Sequence, residues 1–510
     1  FVLLMQLMAF VISIVFTNSS FQKINRKLFL ISFVFVTLFS RSTSFLYVFE
    51  GGDAAIFKQM GLALLRGKTL YIDYFDNKGC ILYFIQAFGL WLGGDFFILL
   101  MQTLSLTITL LIWNKMLALY RNERGRLMGL GIALVLLLCF YQDGDLTEEW
   151  CLPFASYPLL LYFRALKTGK EIRSIKMFFV GVCFGVIAFI RVNNAAPFLG
   201  FVAFYWIQLL TKKDFKNFFL NISAFFIGAI IVAVACILYF YFKAGWHGVD
   251  EMIYASFLSN IEYMGANFEY MGTKEIYEVL FGVFYFLFLS LCILQQIINS
   301  RNDTAVLIPS LISYVLFVLA FGTRGFSHYL MALLPLVVVL LMTIRPNPEK
   351  KRKPVLLVMS LVAVFFYLPI PLAFAVNDLM LKNDKYSAIY ENFHHCIEEI
   401  PLAERDSIYN YNLHGNAAGM MQHEKLLQCN RVFFSSFVFY YNRLYKEETE
   451  KPFCSPKWIL ISWDRYFTDD DADFVLNNYE LYCEFCHDRM YFNKPKIGQK
   501  FQVYLYRRKD

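Results

Sequence analysis

Gly79-Cys80-Ile81-Leu82-Tyr83-Phe84-Ile85-Gln86-Ala87-Phe88-Gly89-Leu90-Trp91-Leu92-Gly93 is the run on which the topology of this chain turns. It is apolar but only about 15 residues long, short of the roughly 20 that a helix needs to cross a bilayer. Read as a helix lying at the membrane interface, it leaves candidate spans at 28–48, 96–118, 127–141, 150–164, 177–191, 195–211, 218–242, 277–299, 305–321, 328–343 and 355–375. The clusters Lys23/Arg26/Lys27, Arg121/Arg124/Arg126, Arg164/Lys167/Lys170/Arg173/Lys176, Lys212/Lys213/Lys216, Arg301 and Arg345/Lys350/Lys351/Arg352/Lys353 then share one side, 20 basic residues in all. The opposite loops, 49–79, 142–149, 243–276 and 322–327, hold 7. Counting the run as a span scatters the clusters over both faces. Lys and Arg accumulate in cytoplasmic loops, so this split orients the chain with its acidic loops and its C-terminal tail outside.

Composition agrees with many spans. Hydrophobic residues make up 58% of the 510 and charged residues 17%, where soluble domains run at about 45–50% and 25%. These values exclude a disordered chain, a nucleic-acid binder driven by basic charge and a single soluble enzyme domain. The net charge of +7 belongs mostly to the cytoplasmic loops. The expected fold is therefore an all-α polytopic membrane domain, residues 1–376, with about 11 transmembrane helices and interfacial helices in the first outer loop. Phe1–Phe16 is apolar without a basic flank or a small-residue cleavage site, so it reads as one further short helix or its remnant, not a signal peptide. Residues 377–510 carry charges throughout and no run long enough to span. They read as a small extracytoplasmic soluble α/β domain, with strand-like pieces at Ser407–Tyr411, Arg431–Phe434, Trp458–Ser462 and Phe501–Arg507 and a helical stretch at Asp471–Asn478.

The outer loops hold the scarce charges. The first contains Glu50-Gly51-Gly52-Asp53, a helical stretch, and then Gly67-Lys68-Thr69-Leu70-Tyr71-Ile72-Asp73-Tyr74-Phe75-Asp76-Asn77-Lys78-Gly79. The second is Gln142-Asp143-Gly144-Asp145-Leu146-Thr147-Glu148-Glu149. Arg191-Val192-Asn193-Asn194 follows one span, and Thr323-Arg324-Gly325-Phe326-Ser327-His328-Tyr329 precedes another. Ionisable groups at membrane depth are costly and mark sites, and Arg191, which interrupts an apolar stretch, needs a partner.

This pattern resembles the bacterial membrane glycosyltransferases of the C-type (GT-C) superfold, a group that includes protein O-mannosyltransferases and lipid A aminoarabinose transferases. The resemblance rests on the Asp after the first span, Gly-Lys-x-x-Tyr-x-Asp-x-Phe-Asp-x-Lys-Gly, Leu-Thr-Glu-Glu, Arg-x-Asn-Asn and His-Tyr, and it covers roughly residues 28–345. Cys80 stands where the family usually has Pro after Lys-Gly. The resemblance implies transfer of a sugar from a polyprenyl-phosphate carrier to an acceptor hydroxyl at the outer face of the cytoplasmic membrane, with inversion. It implies Asp53 as general base, Lys78, Arg191, Arg324 and His328 as donor-phosphate ligands, and Asp73, Asp76, Asp145, Glu148, Asn193 and Asn194 on the acceptor or supporting side. A divalent cation near Asp53, Asp73 and Asp76 stays open, since the family includes metal-using and metal-free members. The implied partners are the polyprenyl-phosphate-linked sugar, a saccharide, glycolipid or protein acceptor, and the bilayer, with no nucleic acid.

Elementary chemistry fits these roles. A hydroxyl is a weak nucleophile until a positioned carboxylate takes its proton, and a departing phosphate gains charge that Arg or Lys stabilises. Plainer readings stand beside each assignment. Asp53 precedes the helix-like Ala54–Arg66 and suits a cap; Lys78 suits a snorkelling interface residue; Asp143 and Glu149 suit the first-turn acids of a helix. Arg191 suits a pair that only orients helices, and His328 an interface residue. Cys483-x-x-Cys486-His487 invites zinc, but no second pair has ribbon spacing, and an exported tail with five cysteines favours disulfides. Two other classes compete: a transporter or flippase of lipid-linked saccharides, which would place charge near the bilayer midplane, and an outer-face polymerase or ligase working from Glu251, Asn260, Glu262 and Asn267 in the 243–276 loop.

Overall fold

The structure, a computed structural model, describes residues 19–47, 52–265, 304–321, 327–343, 384–411, 416–429, 431, 456–462, 469–488 and 500–509. Phe1–Phe16, the expected spans 277–299 and 355–375, and Arg324 lie outside these residues.

The chain is mainly helical: α1 (Ser19–Phe39), α2 (Gly52–Leu65), α3 (Cys80–Gly93), α4 (Asp95–Ala118), α5 (Glu123–Phe140), α6 (Thr147–Thr168), α7 (Ser174–Arg191), α8 (Ala196–Thr211), α9 (Phe215–Ile253), α10 (Ser259–Gly265), α11 (Thr304–Phe321) and α12 (Leu334–Thr343). Four helical stretches among the described residues are long and apolar enough to cross a membrane: Asp95–Ala118, Ser174–Thr211, Phe215–Glu262 and Thr304–Phe321. The short apolar run Gly79–Gly93 is α3, a helix of 14 residues closed by Gly94 at φ +68°. At 1.5 Å per residue it reaches roughly 21 Å, less than a bilayer core.

The first span departs from expectation. Helix α1 stops at Phe39, not at residue 48. Ser40-Arg41-Ser42-Thr43-Ser44 follows as turns, with Leu46 N–H donating to Ser44 Oγ (3.2 Å). A run of hydroxyl side chains offers the backbone local partners that compete with the helical ladder. The expected 218–242 span lies inside α9, which breaks at Ala244 and Gly245 (φ +63°).

The chain packs as two compact units, each drawn from three segments: Phe1–Ser40, Leu99–Ala233 and Thr273–Ala375 in one, and Arg41–Ile98, Val234–Gly272 and Val376–Asp510 in the second. In the first unit α6 packs on α7 and α8 on α11. A methyl group at Gly181 would overlap the Phe225 carbonyl oxygen, so α7 approaches its neighbour backbone to backbone.

In the second unit α2 packs on α3. The tail contributes α13 (Asp384–Glu398), β1 (Ile408–Tyr411), α14 (Asn416–His423), β2 (Trp458–Ser462), α15 (Asp469–Asn478), β3 (Tyr479–Asp488) and β4 (Lys500–Arg508). The sheet order is β1-β2-β4-β3, with β1 parallel to β2 and the other pairs antiparallel. Alternation sorts the side chains: Ile408, Trp458, Leu460 and Leu505 join Phe393 and Ile397 in one core, while Ile459, Ile461 and Tyr506 join Val475 and Tyr479 in the other. Strand β3 was not among the expected strands, though Tyr479-Glu480-Leu481 starts an alternation that a bulge at Leu481/Cys483 interrupts. Cys483 is joined to Cys396 in a disulfide, which removes it from the zinc reading.

Candidate functional site

The site residues expected from sequence fall into two groups, one in each unit. In the first unit the backbone turns extended at Arg191 (φ −164°), and Val192–Ala195 forms a single 3-10 turn before α8. Arg191 Nη1 lies 2.9 Å from Glu148 Oε1, and the two side chains are 12% and 1% exposed. Glu148 sits in the first turn of α6, where the helix dipole favours an acid, and Thr147 Oγ1 donates to its other oxygen (2.9 Å). The Arg191 guanidinium stacks 4.3 Å from the Tyr329 ring centroid and 5.6 Å from that of Phe321. His328, buried, packs its ring edge-on at 4.5 Å against Tyr329. Arg191 and Glu148 thus come together, and Tyr329 lies between the Arg191 guanidinium and the His328 ring.

Asn193 Nδ2 donates to the Ala320 carbonyl (2.6 Å). Asn194 is buried near enough to the Cys151 thiol to interact with it, yet neither of its amide atoms makes a hydrogen bond of ordinary geometry.

The loop feeding Glu148 is strained and firmly held. Gln142, Gly144 and Asp145 have φ of +49°, +74° and +58°. A non-glycine residue held this way costs roughly 1–3 kcal/mol. Glu149 offsets the cost by accepting from Tyr141 OH (2.7 Å), Asp145 N–H (2.9 Å) and Gln102 Nε2 (3.0 Å). Asp145 Oδ1 accepts from the Trp150 indole (2.9 Å).

In the second unit Asp53 stands in the first turn of α2, exposed. Among the described residues nothing hydrogen-bonds or ion-pairs with its carboxylate. Asp73 Oδ2 accepts from Thr69 N–H (2.6 Å), closing the turn that reverses the chain. Asp76 accepts from Asn77 N–H (2.8 Å) and Tyr83 OH (2.7 Å). Lys78 Nζ lies 3.8 Å from Asp76 and 5.8 Å from the Phe57 ring centroid, half-buried.

Several residues that sequence reading did not single out build this second group. Tyr71 is fully buried at φ +67°, and its hydroxyl donates to the Lys78 carbonyl (2.7 Å). Burial pushes that hydroxyl well above its ordinary range, so it stays a donor. Arg431, from the tail, donates to the Tyr71 carbonyl and pairs with Glu251 (2.6 Å). Lys58, with no exposed surface, pairs with Asp95 at 2.7 Å; a single Lys inside the apolar α2 was its one signal in the sequence. Of the residues that a polymerase or ligase would use, Glu251 is taken by Arg431, Asn260 Nδ2 donates to the Asn77 carbonyl (3.0 Å), and Glu262 accepts from Tyr254 (3.0 Å).

Among the described residues no three His, Cys, Asp or Glu side chains converge to hold a metal ion. The carboxylates of Asp73 and Asp76 already accept hydrogen bonds from Thr69, Asn77 and Tyr83.

No family model matches the sequence, and no curated protein matches it either. Solved structures do match in fold. The chain shares its fold with ArnT from Cupriavidus metallidurans, solved bound to undecaprenyl phosphate, which matches with a TM-score of 0.52 at 11% identity, over 96% of this chain and 98% of that one. The apo oligosaccharyltransferase of Archaeoglobus fulgidus matches with a TM-score of 0.47 at 11% identity, over 90% of this chain and 73% of its own.

Proposed function

We propose that the chain is a membrane glycosyltransferase that moves a sugar from a polyprenyl-phosphate carrier to an acceptor hydroxyl at the outer face of a bacterial cytoplasmic membrane. The observation that carries this reading is Asp53: an exposed carboxylate without a partner among the described residues, at the start of α2, in a fold shared with a protein that binds undecaprenyl phosphate.

In this reading the acceptor oxygen attacks the anomeric carbon as its proton passes to Asp53. The bond from that carbon to the phosphate oxygen breaks, and the polyprenyl phosphate leaves with the bonding pair. One displacement inverts the anomeric centre. Lys78, Arg191, Arg324 and His328 are the proposed ligands of the phosphate, stabilising charge that grows as the bond breaks. Glu148 orients Arg191, and Asp145, Asn193 and Asn194 support that side; Asp73 and Asp76 shape the loop that presents Lys78.

Residues 1–376 are proposed as the membrane part and 377–510 as an extracytoplasmic domain. The Cys396–Cys483 disulfide supports an oxidising compartment for the tail. Hydrogen bonds from Gln59 to the Leu426 carbonyl (3.0 Å) and from Phe75 N–H to the Arg431 carbonyl (2.8 Å) support one common face for the tail and the first loop.

The test is Asp53→Asn in purified, lipid-reconstituted protein. Sugar transfer is expected to fall at least about 100-fold with the folded fraction unchanged. Transfer within a few-fold of wild type would remove Asp53 as the base.

A further inference from the structure

We propose that Arg431 is a positioning residue for Lys78, acting through Tyr71. This deepens the transfer reading above and rests on it for its catalytic meaning.

Tyr71 is held at both ends. Its N–H donates to the Tyr74 carbonyl (2.7 Å), which closes a tight turn and directs its own carbonyl outward. That carbonyl accepts from Arg431 Nε (3.1 Å) and Nη2 (2.5 Å). The side chain runs the other way, buried between the rings of Phe240 (5.5 Å) and Tyr83 (6.0 Å), and its hydroxyl reaches the Lys78 carbonyl. A bulky residue in left-handed backbone persists only where its surroundings over-determine it. Here the over-determination comes from a residue 360 positions away in the chain.

Arg431 is itself fixed. Its Nη2 pairs with Glu251 at 2.6 Å, and that carboxylate is 2% exposed. Its own carbonyl accepts from Phe75 N–H (2.8 Å), so the grip is reciprocal. The planar fork lets one guanidinium bridge a carbonyl and a carboxylate, which a lysine ammonium reproduces poorly. The segment carrying Glu251 adds a second hold through Asn260 on the Asn77 carbonyl, one residue before Lys78. The chain of contact is Glu251, Arg431, Tyr71, Lys78. Acting through Tyr71, Arg431 limits where Lys78 can stand.

The test uses full-length protein in lipid with two readouts. The first is the rate at which Lys78→Cys, in a Cys429→Ser background, reacts with a polar maleimide. Lys78 is 12% exposed, so this rate starts low. Arg431→Ala is expected to raise it about tenfold, Tyr71→Phe to raise it similarly, and the pair to add nothing beyond the larger single effect. The second is donor dependence with Lys78 intact: Arg431→Ala raises the donor KM about tenfold with kcat within about threefold, and Arg431→Lys recovers only part of it. Unchanged labelling in Arg431→Ala and Tyr71→Phe, or additive effects of the two, overturns the proposal. Faster labelling in a protein whose wild type transfers no sugar sinks the transfer reading and leaves Arg431 as the residue that fixes Lys78. Should Arg431→Ala fail to fold, Arg431→Lys and Tyr71→Phe carry the same comparison.

Discussion

The Arg191 guanidinium and the Glu148 carboxylate are locked in a 2.9 Å ion pair at which the glutamate keeps only 1% of its surface exposed. Two aromatic rings cover the cation, Phe321 at the end of α11 and Tyr329 in the 3-10 helix Ser327–Leu333. Desolvated pairs of this kind gain little over an apolar replacement, but breaking one strands the remaining charge. Glu148→Ala is therefore expected to destabilise the protein by about 3–5 kcal/mol. Arg191→Ala should cost a similar amount, and the double variant less than the sum. Thermal unfolding in detergent checks this; strictly additive losses would show that the two side chains do not depend on each other. If Arg191 holds the donor phosphate, as proposed, Arg191→Ala is also expected to raise the donor requirement in transfer assays, whereas a purely helix-orienting pair would leave it unchanged.

The loop before Glu148 tests whether backbone strain is held by its neighbours. Gly144 has φ +74°, and a Cβ there would strike the Ser40 side chain with the Ser40 Cα only 3.0 Å away. Gly169, at φ +66°, has open space around the same position. Left-handed backbone alone costs an L-residue roughly 1–2 kcal/mol, and overpacking adds about 1–3 kcal/mol. Gly144→Ala should thus lower the unfolding midpoint clearly more than Gly169→Ala. Equal shifts from the two variants would mean that Ser40 yields freely and the loop is not clamped.

That Arg191 needs a partner was legible in the sequence, because charge is scarce there and an arginine interrupting an apolar run must find an acid; that the acid is Glu148, placed on the acceptor side from sequence, was not. Helix α3 was legible by length. Arg431 was not, since nothing in Cys429-Asn430-Arg431-Val432 marks it and its partners, Tyr71 and Glu251, lie 360 and 180 residues away. Nor was the turn at Tyr71, because tyrosine is a poor signal for left-handed backbone, a conformation that glycine or asparagine would have announced. The end of α1 was misjudged for a related reason. Average hydropathy carries through Phe39 to Tyr47, while the local hydrogen-bonding of five consecutive polar residues stops the helix. Sequence reading weighted burial over backbone partners at these two places, and backbone partners prevailed.

The tail carries a pH-dependent contact. His394 Nδ1 meets Glu424 at 2.8 Å and its Nε2 meets Glu398 at 3.2 Å, while His423 Nδ1 lies 3.0 Å from the same Glu424. The hydrogen bond to Glu424, then its charge, holds the His394 pKa above the ordinary value. A pKa raised on folding gives stability that is fully present below the unfolded value, about 6.5, and lost as pH rises through the folded value. The stability difference between wild type and His394→Gln should therefore be largest below about pH 6.5 and be lost as pH rises through the raised folded value. A difference that stays constant over this range would show that the imidazole contributes only as a neutral hydrogen-bonding group.

Cys429 reports on the orientation of the tail. It is exposed, whereas Cys80, Cys139, Cys151, Cys183 and Cys236 are buried. Its N–H donates to the Ile408 carbonyl (2.9 Å) beside β1, so the thiol is carried on a fixed backbone. If the tail is extracytoplasmic, as the distribution of basic loops and the Cys396–Cys483 disulfide lead us to propose, a membrane-impermeant maleimide added to intact spheroplasts labels the protein, and Cys429→Ser lowers that labelling. The signal lost in Cys429→Ser is the measurement, which separates this thiol from the other cysteines of the tail. Loss that appears only after the membrane is permeabilised would place the tail in the cytoplasm. The first outer loop, tied to the tail through Gln59 and Phe75, would move with it, and Asp53 would then face nucleotide-sugar donors instead of a lipid-linked one.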